Sequence, residues 1–589
     1  MTSSFPPAMI FILGALLIPL LKGKIKSLFI LLLPLVTFYI IINLPHGNSG
    51  TFDVGGFTVI LNRVDKLSLL FGYIFAIVTF IGSLYAFHVK EDVQHISALI
   101  YAGGALGVTF AGDVFSLYIF WEIMTVASTF LILARKTKKS SAAAYRYVLV
   151  HIVGGLCLLA GILLYVHERG TIEFAFIGLK GLSAWLIFIG IAINAAVPPM
   201  HAWLQDAYPE ATVTGIIFLS ALTTKSAIYL MARTFPGAEL LIYVGAAMTA
   251  FPIFFAMIEN DQRRVLCYSM INQIGFMLVG IGIGTDLSLN GTVAHAFTDI
   301  LFKALLFMSV GAVIHRTGKS KCTELGGLYK TMPITTAFCI IGAASISAFP
   351  LFSGFVSKSM IVSAVGHHKL VIVWLILQFA SAGVLHHAGI KIPFFTFFGH
   401  DSGLRPKEAP WNMLVAMGIA AFGCIFIGCF PGVLYNLLPW AVDYVPYTPA
   451  HIVGQLQLLM FAILAFTLLT LSGLYPPDIR TINLDTDWFY RKGARVFYKV
   501  TDWSFNNFNT VADRIFIGGI TRRVNIFAQA GIANAIIISI TPILVISGFN
   551  KDSRDSIRKV IKRSLSYSIY PVGLITIPVV IYLCLMFLL

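Results

Sequence analysis

Apolar runs of about 17–25 residues follow one another along almost the whole chain, and a run of that length crosses a hydrocarbon core of about 30 Å as one helix. Lipid cannot satisfy backbone polar groups, so only helices and closed barrels span a membrane. Barrel strands alternate apolar and polar residues, and these runs do not. The chain is therefore read as an all-α polytopic membrane protein with about 16–17 transmembrane helices. Charge agrees: 11% of the 589 residues are Asp, Glu, Lys or Arg, against about 25% in soluble proteins.

The spans are placed at 7–22, 26–43, 66–88, 94–112, 114–134, 143–166, 182–198, 211–233, 238–258, 264–284, 290–314, 332–357, 370–397, 412–432 and 455–475. A further apolar group lies at 532–549 and 565–589. The net charge of +15 sits in short loops, which is the positive-inside signal and not a nucleic-acid footprint. With the N-terminus outside, the basic segments Lys22–Lys26, Arg135–Arg146, Arg263–Arg264, His315–Lys330, Arg405–Lys407 and 476–530 all fall on the cytoplasmic side. The seven cysteines form no CxxC pair, so no disulfide framework, metal site or cluster is expected. The N-terminus lacks a basic n-region, so no cleaved signal peptide is expected.

Segment 484–530 mixes aromatics with Lys and Arg and reads as an amphipathic helix lying in the interface. The basic stretch Lys551–Arg563 would then fall outside, against the charge rule. The expected parts are N-terminal spans (1–93), two five-helix repeats (94–233 and 238–397), peripheral spans (412–475), a lateral segment (484–530) and a C-terminal anchor (532–589).

Ionisable residues inside spans are costly and mark function. Glu122 lies at mid-span in the fifth helix, where a carboxyl can hold and exchange a proton. Lys225, in FLSALTTKSAIYLMAR, is too deep to snorkel and suits reversible protonation. His295, Asp299 and Lys303 follow at four-residue spacing, on one helix face. They form a ladder about 12 Å long; the alternative is Asp299 neutralising Lys303 as a structural ion pair. Lys358 follows a span broken at Pro350 and Gly354, and Lys391 lies with His386 and His387 in HHAGIK. One of these three continues the path. Pro198 and Pro199 break the seventh span. Broken spans seven and twelve are five apart and so run oppositely, as an inverted repeat of spans four to eight and nine to thirteen would give. The glycines of GIGIGTD have no preceding strand and carry no dinucleotide site.

FWEIMTVAS, PPMHAWLQDAYPEATVTGIIFLSALTTKSAIYLMAR, ENDQRRVLCYSMINQIGFMLVGIGIG, HAFTDILFKALLFMSVGAVI and FPLFSGFVSK occur in this order over roughly residues 70–430. In these segments the chain resembles the antiporter-like subunits shared by respiratory complex I and Mrp-type multi-subunit cation/proton antiporters. NAAVPPMHAWL, ALTTKSAIYL and HHAGIKIPFF are most like the D-type subunits of Mrp antiporters, and DTDWFYRKG is similar to the start of a lateral helix in some members. The resemblance implies two inverted five-helix bundles, a central hydrophilic axis of Glu and Lys, and partner membrane subunits. It assigns Glu122, Lys225, His295, Lys303 and Lys358 to that axis, with Asp299 where many members have His. The family's seventh-span lysine falls at Asn194, an asparagine able only to hold a water.

The expected function is proton translocation in a multi-subunit monovalent cation (Na⁺)/proton antiporter of a prokaryotic inner membrane. The proton path would be Glu122, Lys225, His295, Asp299, Lys303, Lys358 and Lys391, with Asn194 and His387 as water-holding positions. The alternatives are a proton-pumping subunit of a redox-driven complex and a structural subunit without transport. No cofactor, metal or catalysis by this chain alone is expected.

Overall fold

The computed structural model describes residues 5–474, 485–565, 576 and 579–583, with the side chains of 526–529 outside that description. It falls into two compact units, Met1–Asp487 and Trp488–Leu589.

Among the described residues of the first unit, twelve helices are long and apolar enough to cross a membrane, and three shorter apolar helices occupy Pro7–Leu20, Gly181–Asn194 and Pro333–Ile346. Together they place a helix at each of the first fifteen expected spans, which keep those ordinals here. The fourth to sixth are Asp92–Phe110, Val114–Leu133 and Lys138–Arg169, and the eighth is Gly215–Thr234. The ninth to eleventh are Leu240–Ile258, Gln262–Ile283 and Asp286–Thr317, and the thirteenth is Val371–Phe398.

Helix ends follow local chemistry. Asp113 accepts from the backbone N–H groups of Phe115 and Ser116 at 2.9 and 2.8 Å, the N-cap contact that satisfies otherwise orphaned donors. Asp261 caps the tenth span in the same way through Arg263 and Arg264. Thr137 and Thr285 start the sixth and eleventh spans, and each donates its backbone N–H to the serine three residues on at 3.0 Å. Both helices end on a left-handed glycine, Gly170 and Gly318, the conformation a helix C-terminus favours.

The fourth and sixth spans recur 148 residues later as the ninth and eleventh. Lys138–Arg169 and Asp286–Thr317 are both 32 residues long and start 148 residues apart. Asp92–Phe110 and Leu240–Ile258, both 19 residues, are also 148 apart. The isolated β-bridges Asp113–Glu173 and Asp261–Lys321 repeat the same shift. Gly181–Asn194 and Pro333–Ile346, both 14 residues, are 152 apart. Each of these last two helices is followed, two residues on, by a left-handed alanine, Ala196 (φ 54°) and Ala348 (φ 57°). The chain then resumes as Ala202–Ala207 and Ser353–His367. The seventh-span helix thus stops at Asn194, four residues before Pro198.

An antiparallel hairpin, Gly47–Val54 with Phe57–Val64, joins the second and third spans, where hydropathy predicts only a loop. Its turn carries Gly55 (φ 59°) and Gly56 (φ 83°), the positive-φ pair of a two-residue hairpin. It is fastened to the bundle: Ile60 N–H donates to Asp113 Oδ2 at 2.8 Å, and Arg63 donates to the Phe174 carbonyl.

In the second unit, Asp487–Ala512, a π-helical stretch Asp513–Thr521, and Arg522–Ile546 follow without a gap. Between Asn525 and Ala530 the helical path bends by 44°. The basic stretch that violated the charge rule is itself a helix, Lys551–Leu565, charged all along one side and not a simple loop between spans. Most of the expected last span, 565–589, lies outside the described residues.

Candidate functional site: a buried ionisable axis

The eighth span is interrupted at Leu222, between Gly215–Ala221 and Thr223–Thr234. The break frees carbonyls, and Lys225 Nζ donates to one of them, Ser220 O, at 3.1 Å. The same ammonium lies 2.6 Å from Asp299 Oδ2, with both side chains wholly buried. Asp299 therefore pairs across helices with Lys225. Beyond this ion pair, neither carboxylate oxygen has a hydrogen-bond partner among the described residues.

The neighbours of Asp299 on the eleventh span also turn to other helices. Lys303 Nζ donates to Ser269 Oγ of the tenth span at 2.6 Å. His295 Nε2 meets Gln273 Oε1 at 2.9 Å, and Nδ1 meets Ser357 Oγ at 3.0 Å. Ser357 Oγ also meets Thr298 Oγ1 at 2.8 Å. His295, Asp299 and Lys303 all have 0% exposure, and removing such charges from water is repaid only when partners are in place.

Lys358 follows Ser357 on Ser353–His367 and is buried. Its Nζ donates to Ile346 O at 3.1 Å, the last carbonyl before the twelfth-span break, and sits 4.9 Å over the Phe276 ring. Broken helices are tolerated where such freed carbonyls find donors. Beyond Lys358 opens a cavity of about 780 Å³ lined also by Ser359, Gln378, His451 and Gln455, which offers polar groups to water. Lys391 donates to the carbonyls of Met257 and Glu259 at 2.6 and 2.8 Å, at the end of the ninth span. His387, wholly buried on a π-helical turn, has both ring nitrogens unpartnered among the described residues. His386 packs edge-on against Phe466.

Glu122 is placed differently. It is half-buried, and a β-carbon on Gly155 of the sixth span would overlap its Oε1. It borders an apolar groove of about 530 Å³ between the fourth and fifth spans, with Ile96, Ile100, Val126 and Phe130. No hydrogen bond or ion pair joins it to Lys225 among the described residues. Asn194 is wholly buried, and among the described residues neither its side-chain oxygen nor its nitrogen has a partner. The structure thus brings Lys225, His295, Asp299, Lys303 and Lys358 into one neighbourhood and leaves Glu122 and Lys391 as separate stations.

Sequence reasoning passes over the neutral groups Gln273, Ser269 and Ser357, because it takes charge alone as the signal. Polar residues inside the apolar run MINQIGFML are the available clue. It also passes over Asp65 and Asp485, which hold the axis in place from loops. Asp65 takes Arg233 Nη1 and Nη2 at 2.8 Å each. Burial pushes the Asp65 carboxyl up, but Arg233, the Ser68 backbone and Arg63 together hold it below its usual range. Asp485 meets His201 Nε2 at 3.0 Å and accepts from Tyr268 at 3.1 Å. Burial again acts upward there, and its hydrogen-bonding partners bring the carboxyl below the ordinary value.

Residues 111–383 match the family described as NADH:quinone oxidoreductase/Mrp antiporter, transmembrane. The A-type subunit of the Na(+)/H(+) antiporter of Alkalihalophilus pseudofirmus is 29% identical over 504 residues, 73% of this chain and 62% of that protein. Hydrogenase-4 component B of Escherichia coli is 27% identical over 62% of each chain. The chain thus spans 62% of the length of either relative. Among solved structures, a chain of the Mrp complex from Dietzia sp. aligns with TM-score 0.65 at 20% identity, over 76% of this chain and 98% of that one. A chain of an archaeal membrane-bound sulfane sulfur reductase aligns with TM-score 0.68 at 24% identity, over 87% and 95%. At those identities the likeness is one of fold.

Proposed function

We propose that this chain is one of the antiporter-like membrane subunits shared by complex I-like and Mrp-type assemblies, the family that its residues 111–383 match, and that it moves protons in a multi-subunit monovalent cation/proton antiporter, with Na⁺ as the cation. The observation that carries this reading is the cluster of five wholly or almost wholly buried titratable groups, centred on the Lys225–Asp299 pair. A buried ion pair adds little to stability over an apolar pair of similar volume, which favours retention for transport.

In this reading spans four to eight and nine to thirteen, whose helix lengths and caps recur, are inverted copies. Lys225 is the junction between them, since Asp299 holds it from the second copy. A proton reaching Lys303 or Lys358 puts a second positive charge near Lys225. At about 7 Å and an effective dielectric near 20, two such charges repel by roughly 2.4 kcal/mol. That repulsion favours release of a proton from the neighbouring lysine, so charge advances by proton hops through bridging water without a large helix movement. Lys358 would pass the proton to water in the cavity beyond it. Lys391 and His387 would extend the path on the thirteenth span, and Asn194 would hold a water.

The test is proton flux driven by a sodium gradient in vesicles containing the whole complex. Lys225→Ala is expected to abolish flux while the complex assembles; unchanged flux would reject the reading. The hydrogenase relative supports a second reading, proton pumping driven by redox partners. Flux that requires a reductant and ignores a sodium gradient would select it.

A further inference from the structure

We propose that His151 is the proton-carrying residue of the first bundle, filling the role that Asn194 cannot; this rests on the transport reading above. The sixth and eleventh spans share length, N-terminal Thr–Ser cap and C-terminal glycine at a shift of 148 residues. In that register Tyr147, His151 and Gly155 stand where His295, Asp299 and Lys303 stand. The one ionisable position of the first bundle that corresponds to the Lys225 partner is thus a histidine.

Its surroundings suit proton carriage. His151 is 1% exposed, and its Nδ1 lies 2.9 Å from the Tyr147 carbonyl. A carbonyl only accepts, so Nδ1 carries the hydrogen and Nε2 presents a lone pair. That Nε2 is buried and has no partner among the described residues. The ring is held between Tyr147, at 4.0 Å, and Trp203, at 4.6 Å between centroids. Trp203 in turn donates its Nε1–H to Ile193 O, beside Asn194, which ties the imidazole to the seventh-span break.

Groups able to give and take the proton lie on both sides. Gly155 is one helical turn from His151, about 6 Å along the same face, and Glu122 Oε1 packs directly on Gly155. In the proposed path, water links Glu122 to the imidazole. On the other side, Tyr147 OH meets Ser128 Oγ at 2.9 Å, and the wholly buried Tyr208 lies with its ring 6.4 Å from that of Tyr147. Tyr101 OH meets Thr223 Oγ1 at 2.6 Å, two residues before Lys225. The Glu122 carboxyl gives its proton through water to Nε2. The resulting imidazolium releases that proton from the same nitrogen to water held by these hydroxyls, and Lys225 receives it.

His151→Gln keeps volume and hydrogen bonding but cannot become cationic. Sodium-driven proton flux in vesicles of the whole complex, normalised to assembled complex on a native gel, is expected to fall about a hundredfold, the scale of a lost acid–base group. Asn194→Lys added to that variant, which places a titratable group at the break, is expected to restore flux. Flux within about twofold of wild type in His151→Gln, or an unrescued double variant, would overturn the proposal, as would flux lost only in proportion to assembly. Lys225→Ala run alongside separates the two readings. Loss there with retention in His151→Gln rejects this inference alone, whereas retention in Lys225→Ala rejects the transport reading itself.

Discussion

Replacing Lys225 by Met leaves Asp299 facing an apolar side chain in a site with 0% exposure. At 2.6 Å and an effective dielectric near 20, the pair attracts by roughly 6 kcal/mol. Desolvation of the two ions offsets most of this, yet removing one partner still costs about 3–5 kcal/mol because the remaining charge is stranded. Removing both partners with residues of similar volume is nearly neutral. Lys225→Met and Asp299→Leu are thus each expected to destabilise by about 3–5 kcal/mol, and Lys225→Met/Asp299→Leu to recover most of that loss. Unfolding of the purified complex in mixed micelles, followed by intrinsic fluorescence, gives the three free-energy changes of the cycle. Proton flux on the same preparations separates the roles, since the double variant regains stability but not transport. A coupling below about 0.5 kcal/mol, within the scatter of independent sites, would refute the pairing. Full transport by the double variant would refute its use.

Two further outcomes follow from particular contacts. Gly155→Ala is expected to push the Glu122 carboxyl into the groove beside Ile96 and Phe130 and to lower flux, at an overpacking cost of about 1–3 kcal/mol. Gly154→Ala, whose new carbon meets Ile193 Cγ2 at 3.3 Å, is the milder control in the same flux and thermal-unfolding assays. Asp65 gives a pH dependence. Its carboxyl is held below the usual range in the folded protein, so its contribution is complete above the unfolded value of about 3.9 and is lost as pH falls through the lower folded value. Asp65→Asn is expected to flatten that acid limb of a thermal-stability profile, and an unchanged acid limb would show that the Arg233 contact does not carry it.

Hydropathy settled what local forces can settle. The fifteen spans of the first unit are legible because span length depends only on the apolar run and the hydrocarbon thickness. Lys225, Asp299 and Lys358 stand out in the sequence as candidates because charge within such a run is costly wherever it points. Spacing could not decide the partner of Asp299. Four-residue spacing put Lys303 within reach, but the fold turned Lys303 to Ser269 and gave Asp299 to Lys225, 74 positions earlier in the chain. Pairing depends on which helices pack together and how their rotamers meet, and no local pattern contains that. The Gly55–Gly56 hairpin was legible in principle from its turn residues, whereas its anchorage on Asp113 required the folded bundle. His151 carried a local signal, an imidazole in an apolar run, but its place opposite Asp299 in the repeat emerged only from helix ends 148 residues apart. The order of residues dictates which groups must leave water, and tertiary packing alone decides which of them meet.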